Sequence, residues 1–319
     1  MSPRTSRPLG RLVVVVLCAS VAGVGAQDTA QPARAASSTG ARTLPIRYEE
    51  ALARRGFPSP VLKVAVNGVT GWVLVDSGAG IHTLAAWFVE KAGLVPDASL
   101  TDKVGARDAS GERLWLRFLD DVSLALEGTS TLRLAVAAVA DFPKEFESAR
   151  IAGLLSPQSL LREGDVLTLD LRSPSLRIRG AEPAGEGPSR GQRLDVCRSM
   201  AAQIPGLLYA AEVTFEGRPA RLLVDTGASH TRLAGDASAA IGLPRDGARD
   251  QLGVGGVREP MAIGRTVPVK VGGLEQVTDV AIGGGPSGCG GDGLLGIDIL
   301  RQCRLTLSAA AGRVECGAR

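Results

Sequence analysis

Two stretches of the chain end an apolar run in one carboxylate, followed by a small hydroxyl residue, glycine and alanine. They are Val73-Leu74-Val75-Asp76-Ser77-Gly78-Ala79 and Leu222-Leu223-Val224-Asp225-Thr226-Gly227-Ala228. A single aspartate in such a tripeptide offers little chemistry, because Asp-Ser-Gly and Asp-Thr-Gly are ordinary turn sequences. Two that meet offer more. Like charges at short range cannot both ionise, so a facing pair shares one proton. One member can then take a proton from water while the other gives one to a carbonyl oxygen, which is general acid–base hydrolysis without a covalent intermediate. Asp76 and Asp225 are therefore the candidate catalytic pair. Ser77 and Thr226 suit a supporting role, each hydroxyl reaching across the interface to fix a loop. Gly78 and Gly227 let the backbone approach closely and donate N–H groups to the carboxylates.

Register argues that the two stretches are halves of one site. Asp225 follows Asp76 by 149 positions, and the same offset links Gly68 to Gly217, Leu84 to Leu233, and Gly93-Leu94 to Gly242-Leu243. Further on, Gly153-Leu154-Leu155 and Gly293-Leu294-Leu295 lie 140 apart, so the second copy is about nine residues shorter in its middle. An internal duplication accounts for this. Each copy reads as a strand (Leu62–Val66, Leu208–Phe215), a turn at Asn67-Gly68 or Glu216-Gly217, and a return strand ending at the aspartate. A helix stopped by glycine follows, predicted over Leu84–Ala92 and Leu233–Ile241. Glycine-bearing hairpin tips fall at Gly105–Gly111 and Gly253–Gly256, and a short helix is predicted at Gln158–Arg162. Arg301 and Arg304 read as a solvated strand edge, and Asp170 and Asp298 as local structural acids. His82 and His230 sit one position out of register and read as loop residues.

Composition sets the frame. The apolar fraction of 45% supports a sizeable core, and with aromatics at only 3% that core must be built from Val, Leu and Ala. Short Val/Leu runs punctuated by glycine favour strands. Residues 1–26 have a basic start and an apolar run ending in Val24-Gly25-Ala26, the pattern of a cleaved signal peptide. Without them the charges balance at 33 acidic and 33 basic, which gives no support for nucleic-acid binding. Residues 27–45 read as a flexible tether, 46–180 as an N-terminal lobe, 181–193 as a linker and 194–319 as a C-terminal lobe. Signal cleavage leaves Cys197, Cys289, Cys303 and Cys316, an even number suited to disulfides in an exported chain. A hairpin pairing Leu305 with Val314 sets Cys303 opposite Cys316, and Cys197–Cys289 follows by elimination. No CxxC accompanies the two histidines, so no metal site is expected.

Val-Asp-Ser-Gly-Ala at 75–79 and Val-Asp-Thr-Gly-Ala at 224–228, with Leu294-Leu295-Gly296 downstream, resemble the aspartic proteases. Alanine after the Asp-Ser/Thr-Gly is similar to the retropepsin-type enzymes, and two lobes in one chain are similar to the pepsins. The resemblance spans about residues 60–316. It implies an all-β fold of two homologous retropepsin-like lobes, each a small β-barrel with one short helix, with Asp76 and Asp225 as the dyad. It implies hairpin-tip flaps over a cleft for a peptide or unfolded-protein substrate, no cofactor, no membrane attachment after signal cleavage, and a monomer with its lobes paired internally. Two positions depart from the pattern: Ser156 stands where the second copy has Gly296, and neither hairpin tip contains tyrosine. These departures motivate an alternative, a non-catalytic peptide-binding or scaffold module on the same fold. Homodimerisation, each lobe pairing with its twin in another chain, is a third possibility.

Overall fold

The computed structural model describes residues 13–15, 41–97, 104–107, 113–127, 130–180, 191–201, 204–256, 258–284, 289 and 291–317. The chain is mostly β. In the first half six strands close into a barrel in the order Val61–Val66, Val69–Val75, Ile151–Leu155, Thr83–Ala85, Thr131–Ala140 and Arg113–Leu126, the last pairing back to the first. The second half repeats that order with Ile204–Phe215, Arg218–Val224, Gly293–Leu295, Arg232–Leu233, Leu274–Ile282 and Arg258–Val271, closed in the same way. Alternation drives the arrangement. In Arg113–Leu126, for example, Leu114, Leu116, Phe118, Val122, Leu124 and Leu126 are all buried.

The structure also shows where the two halves differ in length. Strand Arg113–Leu126 recurs as Arg258–Val271 at an offset of 145, and Leu155 recurs as Leu295 at 140. The second half is thus four residues shorter before the long strand and five shorter after it.

The helices begin later than the apolar spacing predicts, at Ala86 and Gly235. The residues ahead of them are strands because each is held on both sides. Thr83–Ala85 runs parallel to Thr131–Ala140 and antiparallel to Ile151–Leu155, and Arg232–Leu233 lies likewise between Leu274–Ile282 and Gly293–Leu295. Two main-chain ladders outweigh a helical pattern of side chains. The expected stop at Gly242 holds, with φ at 80° in the left-handed region that glycine tolerates. The segment predicted as a helix at Gln158–Arg162 is a 3-10 turn over Pro157–Leu160, and three further short helices lie at Glu50–Ala53, Lys144–Ser148 and Ile297–Leu300.

A six-stranded sheet joins the halves: Arg42–Leu44, Ser175–Arg179, Val166–Asp170, Cys303–Ser308, Gly312–Cys316 and the start of Gln192–Ala201. Its central pair takes one strand from each half, Val166 opposite Ser308 through Asp170 opposite Arg304. Arg304 is therefore not at a strand edge: Cys303–Ser308 has partners on both sides, and the Arg304 guanidinium donates to Asp170 at 2.8 Å across the junction. Part of the expected tether (Arg42–Leu44) and the end of the expected linker (from Gln192) are strands of this sheet, while residues 181–190 of that linker lie outside the described residues. Cys303 pairs opposite Cys316 and the two form a disulfide; Cys197 and Cys289 form the other. Of residues 1–26 only Val13–Val15 is described, as a strand parallel to Gln251–Gly253. Among the described residues no helix is long and apolar enough to cross a membrane.

Glycine is dictated at the strand crossing beneath each aspartate. A Cβ on Gly293 would lie 1.9 Å from the carbonyl oxygen of Arg232, and one on Gly153 would lie 2.3 Å from that of Thr83. No side-chain rotation relieves a clash with backbone. Gly293→Ala is expected to destabilise the chain by about 3 kcal/mol or more, read as a lowered urea midpoint; an unchanged midpoint would show that the crossing can open.

Candidate active site

Each aspartate sits at the end of a return strand, where the chain leaves the sheet but is still held by it. Asp76 N–H donates to Leu155 O at 2.8 Å and Asp225 N–H to Leu295 O at 3.0 Å. The following loop folds back on the carboxylate. Gly78 and Ala79 N–H groups reach Asp76 Oδ1 at 2.9 and 3.1 Å, and Gly227 and Ala228 N–H groups reach Asp225 Oδ1, both at 2.9 Å. The inner oxygen of each carboxylate is thus fixed by two backbone donors. Glycine at the first of them also permits the close approach of the halves: a Cβ on Gly78 would lie 2.5 Å from Asp225 Cγ.

Ser77 and Thr226 lock the two loops by exchanging hydroxyls. Ser77 N–H donates to Thr226 Oγ1 at 3.0 Å, and Thr226 N–H donates to Ser77 Oγ at 3.1 Å. Each hydroxyl in turn donates to the strand of the opposite half, Ser77 Oγ to Val224 O at 2.8 Å and Thr226 Oγ1 to Val75 O at 2.7 Å. All of these groups are buried. Two donors and two acceptors are satisfied on each side with no charge involved.

The two carboxyls are both fully buried, and the loop beside one packs directly against the other, Gly78 lying close enough to Asp225 to exclude a Cβ. Their outer oxygens, Oδ2 of Asp76 and Oδ2 of Asp225, receive no donor from the surrounding described residues, so a shared proton is the group that can satisfy them. Burial, then the negative charge of Asp225, holds the Asp76 carboxyl well above the usual carboxylate range. Burial also raises Asp225, but hydrogen bonds from Asp76, Ala228 and Gly227 and the nearby Arg232 cation oppose the rise. The pair can therefore hold a single proton at mildly acidic pH.

Several supporting residues carry no motif. Gln158 Nε2 donates to Ser77 O at 3.1 Å and Ala79 O at 2.8 Å, bracing the first loop. Its counterpart 140 positions on, Asp298, braces the second loop differently, accepting from Thr231 N–H and Thr231 Oγ1, both at 2.9 Å. Ser156 fits where Gly296 cannot be replaced: a Cβ on Gly296 would lie 2.4 Å from the carbonyl carbon of His230, whereas Ser156 turns its backbone to ψ 103° against 175° at Gly296 and accepts from Ser159 Oγ at 2.8 Å. His230 contacts Arg249 at 3.0 Å and Asp298 at 3.8 Å. His82 is buried, and burial pushes its imidazole down to about 4.

Of the two hairpin tips, the second is described across Gly253–Gly256. Val254 there is fully buried in an apolar cluster of the first lobe with Phe57, Ile81 and Phe146, and Arg258 beside it pairs with Glu145. The first tip is described only to Arg107 and from Arg113; the rest of Gly105–Gly111 lies outside the described residues.

A sequence model of the aspartyl protease family matches residues 211–299, which hold Asp225, its loop and the crossing beneath it. No curated protein matches the chain in sequence. Among solved structures the chain is similar to basic 7S globulin from soybean, with 11% identity over 86% of this chain and 95% of that one and a TM-score of 0.47.

Two outcomes follow for the loops. Thr226→Val keeps shape but strands Ser77 N–H and Val75 O, and is expected to cost about 3 kcal/mol in denaturant unfolding; a loss near zero would mean the exchange is incidental. Because the folded-state His82 value lies below the usual 6.5, the unfolded chain binds the extra proton between pH 6.5 and about 4. Stability should fall as pH drops through that window, by roughly 3 kcal/mol, and His82→Gln should flatten the slope in unfolding curves taken across it.

Proposed function

We propose that this chain is an exported, two-lobed aspartic endopeptidase that hydrolyses peptide bonds with water activated between Asp76 and Asp225. One observation carries the proposal: two fully buried carboxyls, each pinned through Oδ1 by two N–H groups and brought to one interface by the Ser77–Thr226 exchange, keep outer oxygens that receive no donor from the described residues. With one proton on the pair, the anionic carboxyl removes a proton from water as the oxygen attacks the scissile carbonyl. The protonated carboxyl donates to the carbonyl oxygen. Neither needs to move, because the four N–H donors hold both in place. No metal or organic cofactor enters this scheme.

The substrate would be an extended peptide or unfolded protein bound by main-chain pairing. The strand Ala248–Gly253 supports this, since its edge takes Val13–Val15 as a parallel neighbour in the uncleaved chain. Removal of residues 1–26 as a signal peptide would free that edge. Two disulfides support an oxidising compartment. The shared six-stranded sheet supports a monomer whose two lobes, roughly 46–180 and 194–319, complete one site.

Asp76→Asn and Asp225→Asn should each lower kcat/KM on an unfolded protein by at least about a thousandfold, with the fold intact by circular dichroism. Each should also raise the melting temperature at neutral pH. The folded-state carboxyl values are raised, so the native stability they contribute is complete only below the ordinary carboxylate value and is lost as pH rises; asparagine removes that loss. Retained hydrolysis in either variant would sink the proposal. No cleavage by the unaltered chain between pH 3 and 7, together with tight peptide binding, would favour the non-catalytic module.

A further inference from the structure

The hairpin with the second glycine-bearing tip passes over both aspartate loops. Arg249, on its strand Ala248–Gly253, brings Nη1 to 3.0 Å from Nε2 of His230, five positions after Asp225. Val254, at the tip, is buried in one cluster with Ala79 and Ile81, three and five positions after Asp76. The strand therefore runs from the loop of one carboxyl to the loop of the other, and Gln251 lies midway. Side chains alternate along a strand, so Gln251 shares the face by which Arg249 meets the Asp225 side. Glu259, directly opposite Gln251, stands on that face too. So does Met261, opposite Arg249, whose sulfur would lie 2.9 Å from a Cβ on Gly283. This is the inner face of the hairpin.

Gln251 is anomalous there. It is only 2% exposed, yet neither Oε1 nor Nε2 has a hydrogen-bond partner among the described residues. Glu259 is half-buried, and its Oε2 is enclosed and equally without a partner. The two residues are cross-strand neighbours, but these atoms do not bond one another. Arg249, on the same face, is engaged with His230, and Arg258, on the other face, pairs with Glu145. Enclosing an amide with both ends unmet is costly. A group that arrives with the right donors and acceptors removes that cost.

The open edge of the strand shows what can arrive. In the uncleaved chain Val13 lies opposite Gln251 on that edge. A peptide strand laid in the same place sets one of its residues opposite Gln251, with the side chain on the face of Gln251 and Glu259. That side chain meets two acceptors, the Gln251 Oε1 and the Glu259 carboxylate. A lysine ammonium or an arginine guanidinium supplies several N–H donors and the complementary charge.

We propose that Gln251 and Glu259 form a subsite for a basic side chain of the substrate, selecting lysine or arginine at one fixed position near the scissile bond. The proposal rests on the peptidase reading for its substrate, and the experiment tells the two apart. The exported protein is given a mixture of peptides and the cut sites are mapped by mass spectrometry. One position should be enriched in lysine and arginine. A lysine peptide should exceed its norleucine counterpart, which lacks only the ammonium, by at least about tenfold in kcat/KM. Glu259→Gln should bring that ratio close to one, and Glu259→Lys should turn the preference toward glutamate. Gln251→Leu should also lower the ratio, which a general effect of surface charge would not do. Hydrolysis with no basic preference at any position overturns the subsite and leaves the peptidase reading standing. So does a lysine-to-norleucine ratio that Glu259→Gln leaves unmoved. If no peptide is cut, calorimetric titration with the lysine and norleucine peptides decides: tighter binding of the lysine peptide, lost in Glu259→Gln, keeps the subsite while the peptidase reading falls, and equal or undetectable binding of the two overturns it.

Discussion

The structure depends on one reciprocal exchange, the hydroxyls of Ser77 and Thr226 traded between two loops. Each loop on its own has an unmet backbone N–H in the interior, and each is completed only by the other half of the chain. Folding either half alone would leave those groups buried and unpaired or force the loop open to water. The exchange therefore couples assembly of the lobes to assembly of the carboxyl pair. A charged pair could not do this as well, because its field would bias the two carboxyls it holds.

Around that symmetric centre the braces differ. Gln158 supports the first loop by donating to two carbonyls, while Asp298 supports the second by accepting from Thr231. The first lobe has a large second apolar cluster, with Phe57, Phe118 and Phe146; the second lobe's counterpart has four buried residues, joined by Cys197 and Cys289. The Cys197–Cys289 disulfide and the bond from Arg221 Nη1 to Cys289 O tie Cys289 to the strands Gln192–Ala201 and Arg218–Val224. A small core is stiffened by a covalent link. The second lobe also borrows order from the first, through Val254 and Arg258 at its hairpin tip.

The all-β fold and the matching strand order of the two halves were legible in the sequence because both depend on local signals: glycine turns, alternating strands and a carboxylate at a strand end, in register. The Cys303–Cys316 pairing was legible for the same reason, since a hairpin register is arithmetic. What escaped was set by distant neighbours. Leu84, Ala85 and Leu233 look helical until two flanking strands are known. Arg304 looks like an exposed strand edge until Val166–Asp170, from the other half, is laid beside it. Gln158 and Arg232 belong to no motif: Arg232 is buried because its strand is flanked on both sides, and Gln158 because its 3-10 turn packs against the Ser77–Ala79 loop. Ser156, a departure in sequence, is absorbed by a turn of its own backbone.

The central strand pair, Val166–Asp170 against Cys303–Ser308, has a consequence for how such a site can change over generations. In an assembly of two identical chains every substitution is written twice, so a buried arginine in one half arrives with a buried arginine in the other. The two halves then stay alike, and neither carboxyl is distinguished from its twin. Fusing the halves through a shared sheet ends that doubling. Each lobe is inherited as separate text, and position 83 can keep its threonine while position 232 becomes arginine. Chemistry that requires two unlike partners becomes accessible to a fold built from two like ones.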